Sequence, residues 1–434
     1  MLMFFVFFVG IFLGFFDFFF VIFFLILLLL VFLKDWGVLF FGGVFFIDSM
    51  SFFIIFLCLY LFCFCAFCSF IEGFSNNYSN FFFLYLGVIF FFVFLSFVVF
   101  NVFVFYIFFE FVFVLMFFFV LNWGYSPERV QASFYMVFYT LVVSFPFLIF
   151  MLVLGSSLMF FKFMFFGLFE GFWGFFMFFV FLVKLPVYGV HLWLPKAHVE
   201  SPIVGSMLLA GILLKLGGYG FYRFSSFLLF YLVDCYTYMY SIGLGGGLIS
   251  CFLCLRQSDF KSFVAYSSVC HMGYALSAMC SMFFFGLGGS VYMFIGHGFC
   301  SSCLFYVLYL FYERYHSRSI FVIKGCTYLV SYMLFFIFMF SVLNMGVPPS
   351  LSFFSEVSIV VSLLSFDFFS FLFGGMLLFF SGLYSIYFYS IMSHGSSILK
   401  GSFFLFNVRE LSNIYIHMFP LFAIPFFLSL FFVV

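Results

Sequence analysis

Apolar runs of about 20 residues recur from one end of the chain to the other, separated by short polar links. An α-helix needs that length to cross a bilayer, whereas a membrane barrel would show alternating segments of about ten residues. The runs predict helices over residues 1–33, 47–70, 81–100, 102–121, 132–155, 172–194, 203–224, 232–255, 259–280, 288–311, 328–364, 368–392 and 414–434. That makes 13 helices, or 14 if the first run hinges near Gly14 and Asp17, and Lys34-Asp35-Trp36 closes that run with an interfacial signature. Two runs carry internal prolines, at Pro186 and at Pro348-Pro349. A proline cannot donate to the helical ladder and crowds the carbonyl of residue i−4, so both runs are expected to break there. Paired broken helices in corresponding halves of a membrane chain point to an inverted repeat with a site near the membrane midplane.

Composition agrees with this pattern. Hydrophobic residues make up 68% of the 434 and charged residues 6%, where a soluble protein carries about a quarter charged. The chain therefore reads as an all-α polytopic membrane protein, in contact with membrane lipids. Net charge is zero and no basic run occurs, so nucleic-acid binding finds no support. The 98 phenylalanines exceed what packing requires, and with scarce proline and histidine they suggest a coding strand rich in T and G, as in some organellar genomes. Three CxxC spacings, Cys65–Cys68, Cys251–Cys254 and Cys300–Cys303, would suggest zinc or iron–sulfur in a soluble domain. Here they fall in apolar runs where cysteine behaves as a small hydrophobe, so neither a metal nor a cofactor is expected in this chain. Lysine and arginine are too evenly scattered along the loops to set an orientation.

The chemistry concentrates in Phe181–Arg223, FLVKLPVYGVHLWLPKAHVESPIVGSMLLAGILLKLGGYGFYR. Lys184 precedes Pro186 by two residues, and Lys215 follows a long uncharged run. A cation at the bilayer centre costs about 2.5–3.5 kcal/mol even on the insertion scale, so such residues face a bundle interior or a water-filled path. The plainer alternatives are a lysine snorkelling to the interface or a structural ion pair. Gly211, one turn before Lys215, would let a neighbouring helix close on the same face. Trp193 suits an interface, while Ser201 and Ser126 read as helix caps ahead of Pro202 and Pro127. Glu110 lies alone in an apolar run and would seek a cation on another helix, with Lys184 the best partner by type. Lys261, His271, His297 and Glu356 complete a series of ionisable groups at membrane depth. One buried histidine is more often a satisfied core residue than a functional one, and structural pairing accounts for one or two of these groups. Proton exchange along the series accounts for the set. No P-loop, nucleophile elbow or HExxH motif is present.

The segments VKLPVYGVHLWLPKAHVESPIVGS, LLKLGGYGFYR, CLRQSDFKSFVAYSSVCHMG, GHGFCSS and YERYHSR resemble the antiporter-like chains of NADH:ubiquinone oxidoreductase, respiratory complex I. Among these, PKAHVE is similar to the chain 4 family rather than to its sister chains 2 and 5. The resemblance runs from Asn101 to Glu356 and more faintly beyond. It implies 14 helices in two inverted five-helix repeats, each with one broken helix. The corresponding domains are N-terminal helices over 1–100, a first repeat over 81–224, a second over 225–392 and a C-terminal helix over 393–434. It further implies a proton path in the membrane plane, with Glu110 and Lys184 as an ion pair, Lys215 as the central lysine, Lys261, His271 and His297 as onward relay, and Glu356 as the terminal carboxylate. The implied location is the mitochondrial inner membrane. The implied partners are the other membrane-arm subunits, chains 2 and 5 included, with flavin, iron–sulfur clusters, NADH and ubiquinone held on other subunits. A multi-subunit cation/proton antiporter of the same fold is the competing function, and a purely structural scaffold leaves the buried charges unexplained.

Overall fold

The computed structural model describes residues 39–41, 45–73, 79–154, 171–228, 233–325, 331–395 and 407–425. The expected first helical segment, 1–33, lies outside them. The chain enters through a small antiparallel hairpin not foreseen from the sequence, β1 (Leu39–Phe41) against β2 (Phe45–Ile47), with Phe40 opposite Phe46. Helices follow: α1 (Ser49–Gly73), α2 (Ser79–Val98), α3 (Val102–Trp123), α4 (Arg129–Leu154), α5 (Gly171–Lys184) and α6 (Trp193–Glu200). Next come α7 (Ile203–Leu208), a π-turn (Leu209–Leu213), α8 (Leu214–Leu228), α9 (Val233–Leu255), α10 (Phe260–Cys280) and α11 (Phe284–Tyr315). The chain ends in α12 (Ser331–Asn344), α13 (Leu351–Phe366), α14 (Phe368–Ser393) and α15 (Val408–Ala423). Among the described residues, eight helices are long and apolar enough to cross a membrane. The last helix starts earlier than its apolar run at 414 predicts. Asn407 and Glu410 form a capping box there, and a cap overrides the hydropathy pattern.

α10 is not one of the eight long apolar helices, because serine, tyrosine and histidine dilute its hydropathy, yet all but one of its residues are buried. A polar helix at the centre of an apolar bundle is affordable only where protein, not lipid, surrounds it.

Both expected breaks are present and share one construction. After Lys184, the Val187 N–H reaches back to the Leu182 carbonyl, and after Asn344 the Val347 N–H reaches back to the Val342 carbonyl. Each break then exposes a carbonyl that a side chain satisfies. Trp193 Nε1 donates to the Val183 carbonyl at 3.1 Å, and Ser352 Oγ donates to the Leu343 carbonyl at 2.5 Å. Trp193 is thus fully buried as a brace for the broken helix, not placed at an interface, because a freed carbonyl at membrane depth must be paired. Gly346 takes φ +76° at the second break, a conformation that L side chains rarely adopt.

The two expected serine caps are also replaced. Pro202 occupies the N-cap of α7, while the Ser201 hydroxyl turns back to the His198 carbonyl. The Ser126 hydroxyl donates to the Glu200 carboxylate instead of capping α4. A buried carboxylate is the stronger acceptor, and it wins both hydroxyl and register.

α2 through α8 and α9 through α14 form two five-helix units, the fourth crossing of each being broken. Their sense through the membrane is opposite, since α2 and α9 start from opposite faces when the helices are followed as successive crossings. That alternation also gathers charge. Arg129, Arg256, Lys261, Arg314, Arg318 and Lys324 fall near the face where α11 ends, while Arg223 lies near the other, forked onto Asp48 at 2.5 and 2.7 Å. The loop after α11 is tied to the α9–α10 link at this cationic face by Phe260 N–H to Arg318 O and Ile320 N–H to Ser258 O. Among the described residues, the even scatter seen along the sequence is therefore an asymmetry in the fold.

Candidate functional site: a buried chain of ionisable side chains

Lys184 is the last residue of α5, fully buried, and its Nζ lies 2.7 Å from Glu110 Oε1 on α3. The Phe109 carbonyl accepts from it at 3.3 Å, and the rings of Phe109 and Phe113 stand 3.2 and 4.1 Å from the ammonium. A carboxylate, a carbonyl and two ring faces together replace the water that this cation lacks. The second oxygen of Glu110 is buried without a partner among the described residues.

Lys215 follows the π-turn directly. Its Nζ donates to the Ala210 carbonyl within that turn and lies 3.1 Å from His297 Nδ1. The sequence predicts an unbroken helix here; the structure widens one turn where Gly211 crosses Gly298 of α11. A Cβ at Gly298 would stand 3.2 Å from the Gly211 carbonyl, tighter than ordinary contact, so glycine at Gly298 suits the close crossing that brings His297 to Lys215. π-turns inside helices frequently mark functional positions. Gly217 serves the other side: a Cβ there would stand 2.8 Å from Leu185 N and 3.0 Å from Lys184 C. α8 thus presses on the first break, where Lys184 ends α5.

From His297 the chain runs on to His271 on α10, ring centroids 5.6 Å apart. His271 Nε2 lies 2.9 Å from the Tyr384 hydroxyl on α14, and Asn344 reaches the same imidazole. Glu356 on α13 packs its carboxylate into the space beside Gly346, where an added Cβ would collide, and its Oε1 has no partner among the described residues.

Lys261 stands apart from the onward line. It sits at the cationic face, donating to the Ser201 carbonyl at 2.9 Å and the Val199 carbonyl at 3.4 Å. Beside it Glu200 takes Ser126 on one oxygen and Arg318 on the other at 3.6 Å. Between Lys261 and Lys215 lies His198, fully buried, stacked on Phe305 at 4.6 Å and within electrostatic reach of both lysines and of His297. Neither of its ring nitrogens has a hydrogen-bond partner among the described residues.

His198, Glu200, Asn344 and Tyr384 were not singled out from the sequence. His198 and Glu200 lie within the PKAHVE segment, and polar residues in that broken stretch were the available signal; Asn344 opens the second expected break, and Tyr384 carried no signal. A further buried stripe on α15 was missed: Glu410 pairs with Arg314 at 2.5 Å, Asn413 reaches the Tyr306 hydroxyl at 3.4 Å, and His417 lies buried against Phe64. Among the described residues no three His, Cys, Asp or Glu side chains cluster as a metal site, and the CxxC cysteines are free thiols.

A polytopic helical bundle with paired broken helices and a buried line of lysine, histidine and glutamate defines an antiporter-like membrane protein. The sequence matches the family described as NADH:quinone oxidoreductase/Mrp antiporter, TM, over residues 100–382. It is 40% identical to NADH-ubiquinone oxidoreductase chain 4 of Ceratitis capitata over 352 residues, covering 80% of this chain and 78% of that one. It is 39% identical to the chain 4 protein of Locusta migratoria over 381 residues, covering 86% and 85%. The fold matches a chain of respiratory complex I from Thermus thermophilus with bound NADH at a TM-score of 0.83 and 19% identity, over 98% of this chain and 95% of that one. A chain of the Mrp complex from Dietzia sp. DQ12-45-1b matches at 0.81 and 16% identity, over 96% and 90%. The chain belongs to the NADH-ubiquinone oxidoreductase chain 4 family, the antiporter-like membrane subunits of complex I.

Proposed function

We propose that this chain is a non-redox, proton-translocating subunit in the mitochondrial inner membrane, beside its sister antiporter-like chains 2 and 5, with flavin and iron–sulfur chemistry on other subunits. The carrying observation is the Lys184–Glu110 pair, 2.7 Å long, fixed at a helix break and followed by Lys215, His297 and His271. When the pair separates, the ammonium is left in hydrocarbon without its counter-charge. Removing one partner of a buried pair costs about 3–5 kcal/mol, while moving one charge against 100 mV costs about 2.3 kcal/mol. Opening the pair can therefore drive a proton onward through Lys215, His297 and His271 to Glu356. His198 would link Lys215 to Lys261 and Glu200, giving this line an exchange with the cationic face. The chain holds no cofactor of its own in this reading, so the opening must be driven from neighbouring subunits.

Glu110→Gln tests the reading. The complex is expected to assemble and oxidise NADH while proton stoichiometry falls, and Glu110→Asp is expected to retain part of it because the charge survives at shorter reach. Undiminished pumping by the assembled Gln variant would sink the proposal. The Mrp likeness is equally good as fold and leaves a multi-subunit cation/proton antiporter as the other function; co-purification with flavin and iron–sulfur subunits separates the two.

A further inference from the structure

The proposed line lacks a direct contact between His271 on α10 and Glu356 on α13. The Tyr384 hydroxyl, from α14, stands at this point. It is fully buried, lies 2.9 Å from His271 Nε2, and is within electrostatic reach of Glu356. Phe263 packs edge-on against its ring at 5.9 Å and limits its swing. Gly382, two residues earlier, leaves room for Met345 of the second break, so α14 can lie close to the segment that holds Glu356.

Tyr274, one turn after His271 on α10, is fully buried and also lies within electrostatic reach of Glu356. Glu356 Oε1 has no hydrogen-bond partner among the described residues. An orphaned buried carboxylate oxygen is costly, and a proton delivered to it offsets that cost.

We infer that Tyr384 is a proton-transfer residue, its hydroxyl passing protons between His271 and Glu356. This rests on the relay reading above and deepens its last step. When His271 is protonated, its Nε2–H bond breaks as that proton bonds to the Tyr384 oxygen. The phenol's own O–H bond breaks in turn, and a carboxylic O–H forms on Glu356. The imidazolium becomes neutral imidazole, the carboxylate becomes carboxylic acid, and the phenol ends as a phenol. No oxidant and no tyrosyl radical is involved. A hydroxyl suits the step because it donates and accepts at once.

Tyr384→Phe removes one oxygen and leaves the ring packing in place. Assembled complex carrying it, reconstituted in liposomes, is expected to oxidise NADH at the uncoupled rate, while the proton flux through this chain falls by about 100-fold or more, the scale of a lost proton-transfer group. Tyr384→His, which restores a group able to donate and accept, is expected to recover part of the flux; a ring needed only for packing would give no such recovery. Should Tyr384→Phe fail to assemble, the assembled Tyr384→His complex carries the test: partial flux is expected, and none overturns the role. Undiminished pumping by the assembled Phe variant, while Lys215→Ala pumps less, overturns the role of the phenol and leaves the relay standing. Undiminished pumping by Lys215→Ala as well overturns both.

Discussion

Lys184 and Asn344 occupy the same place in the two halves of the molecule, each the last helical residue before a break closed by the same backward hydrogen bond. The second helix of each half supplies the partner: Glu110 of α3 for Lys184, and His271 of α10 for Asn344. One half holds a charged pair at this point and the other a neutral one. A charged pair can be pulled apart to release a proton, whereas a neutral amide can orient an imidazole that receives it.

Asn344→Leu should therefore impair transfer without unfolding the bundle. The imidazole of His271 loses an orienting partner, at a cost of about 1–3 kcal/mol. Reduced proton stoichiometry with normal NADH oxidation is expected, read in liposomes. Full stoichiometry would show that the amide orients nothing.

Gly217 sets how closely α8 approaches the first break. Valine there meets backbone atoms of Leu185 and Lys184, which cannot yield as a flexible side chain can, and overpacking of this kind costs about 1–3 kcal/mol. A lower thermal midpoint of the assembled complex, or less of it on a native gel, is expected. Gly245→Ala is the control: nothing stands within 4 Å of its added carbon, and no change is expected.

The Arg314–Glu410 pair pins the start of α15 to the end of α11 at 2.5 Å. Glu410 is nearly fully buried, so Glu410→Gln removes the carboxylate of this pair and should be destabilising. The complex is expected to assemble poorly, and Arg314→Leu combined with Glu410→Leu should recover more stability than either change alone. Native-gel yield across the four proteins measures this, and additive losses would contradict it.

Orientation follows from the charge asymmetry. Loops rich in lysine and arginine stay on the side from which a membrane chain is inserted. Ser258→Cys, at the cationic face, should react with a membrane-impermeant maleimide added from that side, and Phe284→Cys, at the opposite end of α11, only from the other. The reverse labelling pattern would refute the assignment.

The sequence by itself determined where the chain crosses the membrane and where two crossings break. Hydrophobic length and proline chemistry are local properties, and α3, α9 and α14 begin within about a residue of their apolar runs. It also marked Glu110, Lys184, Lys215, His271, His297 and Glu356, because an ionisable group in hydrocarbon is costly wherever it points. It could not say which groups meet. α3 is apolar on every side except at Glu110, so no polar stripe fixes its rotation about its own axis. The partners Lys184 and Glu110, Lys215 and His297, and His271 and Tyr384 are 74, 82 and 113 residues apart, on helices joined only through packing. Only the tertiary structure decided those meetings, through glycine crossings at Gly211 and Gly217 and the π-turn before Lys215. It likewise moved Lys261 to the cationic face and put His198 between it and Lys215. In lipid, helices are oriented by close packing and hydrogen bonds rather than by burial from water, and those contacts exist only once the neighbours are in place.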